Sequence, residues 1–159
     1  MGLLDIFKLA QQKSNYETLP RDKYMDKEWK RISSKYYTGI EKIESQWSVL
    51  YNLKSFTGSD AEKFEMLCKQ NINDLFEMQK ISNKYESESV PPNVPAFKRL
   101  AMLYEKQGCY DKAVSICMDA IKCGASSDGS KGGMQGRMAR MIKKSKTTPT
   151  EEMKSMMMK

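Results

Sequence analysis

A chain of 159 residues, 40% hydrophobic and 30% charged, has room for one compact domain with a modest core, and its composition carries no fibrous or low-complexity bias. Its charge of +7 is unevenly spread: residues 59–90 hold four lysines against seven acids, whereas residues 126–159 hold eight bases against three acids. It has no histidine, and its four cysteines (Cys68, Cys109, Cys117, Cys123) form no C-x-x-C pair, so the common zinc patterns and histidine-based acid–base catalysis are excluded.

The first residues, Met1 to Lys8, have neither the basic start nor the long apolar stretch of a signal peptide. Ile6 stands where a myristoylation pattern beginning at Gly2 needs Ser or Thr. Leu3, Leu4, Ile6, Phe7 and Leu9 predict a short amphipathic helix over 3–12. It is expected to pack on the domain or on a second copy, with a membrane surface as the alternative. Ser14 to Arg21, with Asn15 and Pro20, reads as a linker, so 1–21 forms one unit.

Met25, Trp29, Ile32, Tyr36, Ile40, Ile43, Trp47 and Leu50 recur at steps of three and four, which lays one apolar stripe along a helix. Such a stripe is core or a helix-pairing seam. An interruption is expected at Thr38-Gly39, because glycine weakens a helix interior and Thr38 with Glu41 forms a capping box for a fresh start. Leu53 to Gly58 turns the chain. Ser59 with Glu62 reads as a second capping box, opening a helix whose apolar face is Phe64, Leu67, Cys68, Ile72, Leu75, Met78 and Ile81 and which ends by about Tyr85. Residues 22–86 are thus a helical region. Ser87 to Pro95, with three prolines, is a stiff connector.

Beyond it, Phe97, Leu100, Ala101 and Tyr104 are followed by a Gly108-Cys109-Tyr110 turn and then by Ala113 and Ala120. Antiparallel helices approach closely where one side is small, and aromatic residues fill the space above and below. Over residues 94–127 this pattern resembles a single tetratricopeptide repeat. Two positions depart from it: Cys117 replaces the second helix's aromatic, and Ala125 replaces the closing proline. The resemblance implies a helix–turn–helix unit whose first helix turns Lys98, Met102, Glu105 and Lys106 toward a partner. The version of the family that clamps a peptide carboxylate would want Asn at Met102. One repeat cannot bury its own faces, so the flanking helices must cover it.

Ser126 to Gly133 reads as a connector, with a glycine-rich phosphate cradle as the rarer alternative. The helix after Gly133 puts Met134, Met138, Met141 and Ile142 on one face and Arg137, Arg140, Lys143 and Lys144 on the other, so it is expected to cap the repeat. The unit thus spans 94–146, and residues 147–159, without periodicity, are expected to be disordered. No apolar run reaches the length of a membrane span.

These readings converge on an all-α protein of helical hairpins: one repeat-like unit, a C-terminal capping helix, no cofactor and no metal. The expected function is a non-catalytic adaptor or scaffold in the cytoplasm, where free thiols persist. Its partner is another protein, a peptide or a second copy of itself. Nucleic acid bound by Arg137, Arg140, Lys143 and Lys144 is the alternative.

Overall fold

The computed structural model describes residues 23–85, 91 and 93–158, with the side chains of 23–26 and 84–85 left aside. The expected helix over 3–12, its linker and most of the proline-rich connector therefore lie outside the described residues. The protein is all-α. Its elements are α1 (Lys23–Leu53), α2 (Ser59–Tyr85), α3 (Pro95–Lys106), α4 (Tyr110–Lys122), α5 (Gly133–Ser145) and α6 (Glu151–Met157). Among the described residues there is no strand, only a single parallel bridge between Asn93 and Ser127. Each helix packs on the next in sequence; α1 also reaches α3, and α4 reaches α6.

The expected break at Thr38-Gly39 does not occur, and α1 runs unbroken for 31 residues. Gly39 serves a close approach instead of a chain break. A Cβ there would stand 2.4 Å from Nδ2 of Asn71, which crosses from α2 and donates to the Tyr36 carbonyl at 2.9 Å. Helix hydrogen bonding continues through the site because the space a side chain would fill is occupied by the neighbouring helix. The α1 stripe is core: Ile32, Tyr36, Ile43, Trp47 and Leu50 are buried against Phe64, Cys68, Ile72 and Leu75 of α2.

Three helices end in the same way. A residue in the left-handed region follows the last turn, and its own N–H and that of the next residue bond back to carbonyls of that turn, the Schellman arrangement. After α1 it is Lys54 (φ 52°), with Ser55 N–H on the Leu50 carbonyl at 2.9 Å. After α3 it is Gly108 (φ 74°), with Cys109 N–H on Tyr104; after α4 it is Gly124 (φ 91°), with Ala125 N–H on Ala120. This last bond explains why Ala125 stands where the repeat pattern has proline: a proline has no N–H to donate. At the start of α2, Glu62 N–H bonds the Gly58 carbonyl at 3.0 Å, which makes Gly58, not Ser59, the capping residue.

The α3–α4 hairpin buries the residues that carry the repeat resemblance. Phe97, Leu100, Ala101, Tyr104, Ala113, Cys117 and Ala120 are all within the core. Cys117 fills the place of an aromatic because α5 comes close and lays Met134, Met138, Met141 and Ile142 into the same core.

The last residues are not wholly irregular. Thr150 Oγ1 accepts the Met153 N–H at 3.2 Å and starts α6. Gln135 of α5 donates to the Met156 carbonyl at 3.0 Å, Lys122 of α4 pairs with Glu152 at 2.7 Å, and Met153, Met156 and Met157 rest on the core. Two helical turns are too short to register as periodicity. The α4 and α5 surfaces they lie on supply the stability that a segment of this length lacks alone.

Candidate partner-binding face

Helix α3 buries one side against α2 and α4, so its helical spacing leaves Lys98, Arg99, Met102, Glu105 and Lys106 on the other. These side chains reach toward both neighbours. On the α1 side, Arg99 grips Glu44 with Nε at 3.1 and 3.2 Å from the two carboxylate oxygens and Nη2 at 2.6 Å from Oε2. Its guanidinium lies 5.6 Å from the centroid of the Trp47 ring, and Nη1 reaches the Met102 sulfur at 3.5 Å. Charge, shape and a stacked aromatic together favour arginine over lysine here. Lys106 stands over Tyr51 and Phe56 at 5.6 and 5.7 Å, and Gln107 donates to the Phe56 carbonyl at 2.8 Å.

On the α5 side, Glu105 pairs with Lys144 at 2.9 Å and, more loosely, with Arg137 at 3.9 Å. Arg137 is committed elsewhere as well. Its Nε and Nη2 hold the buried Asp128 carboxylate at 3.0 and 2.9 Å, and the same carboxylate accepts the Ser130 N–H and hydroxyl. Burial would lift the Asp128 carboxyl, but the Ser130 hydrogen bonds and the Arg137 guanidinium outweigh it and hold the group below the usual carboxylate range.

The four residues expected to face a partner therefore divide. Glu105 and Lys106 tie α3 to its neighbours, Met102 lies beside Arg99, and Lys98 extends toward Gly129. Of the expected basic surface, Arg137 and Lys144 are paired, whereas Arg140 and Lys143 are exposed. Sequence reading missed Asp128 and the Arg99–Glu44 pair, and no local signal marks either one.

The Ser126–Gly133 connector is held in place by backbone hydrogen bonds. Met134 N–H bonds the Ser126 carbonyl at 2.8 Å and Gly133 N–H bonds the Ser130 carbonyl at 3.2 Å, so these two donors at the start of α5 are taken. Gly133 (φ 61°) is required here, since a Cβ would meet the Ser126 oxygen at 2.6 Å.

Among the described residues no group of His, Cys, Asp or Glu gathers as a metal site, and no helix is long and apolar enough to cross a membrane. Burial pushes the Cys117 thiol up to about 12 and the Cys123 thiol up to about 11, so both remain protonated near neutral pH. Comparison with protein-family models, with curated proteins and with solved structures gives no match for this chain.

Proposed function

We propose that the chain is a non-catalytic protein-interaction module, an adaptor or scaffold built on a tetratricopeptide-like α3–α4 hairpin. One observation carries the reading: the solvent side of α3 is cross-linked to α1 by Arg99–Glu44 and to α5 by Glu105–Lys144. Three alternate helices thereby share one surface whose side chains are held in position before any partner arrives. Preorganisation of this kind lowers the ordering cost of association. The paired acids and bases on this side are spent on joining helices, which suits a docking surface better than a reaction centre.

A photo-crosslinking amino acid in place of Met102, with Glu62 at the start of α2 as control, tests the reading in cells that make the protein. Discrete protein adducts are expected from position 102 and not from position 62. Absence of any protein adduct at 102 overturns the reading. Salt-sensitive binding of generic RNA or DNA in its place would move the function to nucleic acid at α5.

A further inference from the structure

We propose that the solvent side of α5 docks a short acidic segment of a partner protein, with Arg140 and Lys143 as its anchors. This rests on the reading of the chain as an interaction module, and it names the chemistry of the partner.

Helix α5 holds four bases and no acid. Ion pairing divides the bases into two pairs. Arg137 and Lys144 lie toward α3 and are neutralised within the chain by Asp128 and Glu105. Arg140 and Lys143 are exposed and form no ion pair among the described residues. The same holds for Lys131 just before the helix and Lys146 just after it. Half of the positive charge on α5 is thus structural, and the other half is uncompensated. Arg140 leans back along the helix, with Nη1 3.5 Å from where a Gly136 Cβ would stand. Its guanidinium therefore lies over the Gly136 turn and is exposed, within reach of a carboxylate from outside.

The length and composition of this strip favour a peptide over a nucleic acid. Thirteen residues make α5 only about 20 Å long, the reach of about six extended residues. The exposed large aromatics, Tyr37 and Tyr51, belong to α1, and α5 and α6 contain none on which bases would stack.

Fluorescence anisotropy on the full chain tests the proposal, with labelled hexaglutamate and an oligothymidylate of matched charge as probes. The variant Arg140→Glu/Lys143→Glu is compared with Lys63→Glu/Lys80→Glu on α2, which changes net charge equally; circular dichroism checks that both fold. The α5 reversal is expected to weaken hexaglutamate binding at least about tenfold, and the α2 reversal less than about twofold. Equal losses in the two variants, tighter binding of oligothymidylate, or no peptide binding would each overturn the proposal. If hexaglutamate fails while protein adducts at position 102 persist, only this inference falls; if the adducts also vanish, the interaction reading falls with it.

Discussion

Gly39 and Asn71 make a lock-and-key contact on which the α1–α2 crossing depends. Alanine has the higher helix propensity by about 1 kcal/mol, yet in Gly39→Ala its methyl would displace the Asn71 amide from the Tyr36 carbonyl. Overpacking is the larger effect, and the substitution is expected to destabilise by about 1–2 kcal/mol in urea unfolding. Combined with Asn71→Ala its cost should largely disappear, a coupling of about 1 kcal/mol in a double-mutant cycle; strict additivity would show that the contact does not control the crossing. Asp119 presents the reverse case, a carboxylate whose burial is only partly offset. Burial pushes its pKa up to about 6 against a partial pull from Lys122. Between the unfolded value near 3.8 and about 6 the folded state binds the proton more tightly, so this group's contribution to stability falls as pH rises through that window. Asp119→Asn is therefore expected to stabilise by about 1 kcal/mol at neutral pH, after allowance for solvent screening, with the gain shrinking toward zero by about pH 4. Denaturation midpoints at the two pH values would check it.

At the level of elements, the left-handed cap is met by glycine at the ends of α3 and α4 and by lysine at the ends of α1 and α5. Lys54 bears the Cβ strain that Gly108 and Gly124 avoid, and its side chain is exposed. Lys54→Gly is expected to raise stability by about 0.5–1 kcal/mol, measured as a higher Tm, with the greater freedom of glycine in the unfolded chain offsetting part of the gain. Helix α6 is the opposite kind of element, since it has no fully buried residue and depends on its seat. A chain ending at Lys146 should lose the Met153, Met156 and Met157 packing together with the Lys122–Glu152 and Gln135–Met156 contacts. The expected result is a Tm lower by about 3–8 °C and stronger binding of an apolar dye, as methionine-lined surface on α4 and α5 opens to solvent. An unchanged Tm would mean that the tail adds nothing to the fold.

Across the whole molecule, each helix rests mainly on its sequence neighbours, so stability is transmitted pairwise along the chain. The middle helices have packing partners on both sides, while α6 lies at one end. Native-state hydrogen exchange should therefore show its highest opening free energies in α2, α3 and α4 and its lowest in α6. Equal protection of α6 and α3 would show a single cooperative unit in place of this gradient. The same arrangement places charge by position: the inter-helix faces consume Glu44, Arg99, Glu105, Arg137 and Lys144, and the outer side of α5 retains a positive surplus.

What the sequence determined by itself is the all-α character, the apolar faces of α1, α2 and α5, and the turn at Gly108. Each of these depends on residues within one or two helical turns of each other, and spacing of three and four records such relations directly. Whether Gly39 breaks a helix or admits Asn71, and whether the tail folds, were decided only when helices distant in sequence came together. The candidate face divides in the same way. Its members on α3 were implied by the repeat resemblance, but which of its charges are available was not legible in the sequence. Arg99 meets Glu44 across 55 positions, and Glu105 meets Lys144 across 39. An ion pair depends on the distance between two side-chain ends, and that distance is set by how the helices cross. Tertiary packing therefore separated the committed Arg137 and Lys144 from the exposed Arg140 and Lys143, four residues that the sequence presents as one basic face.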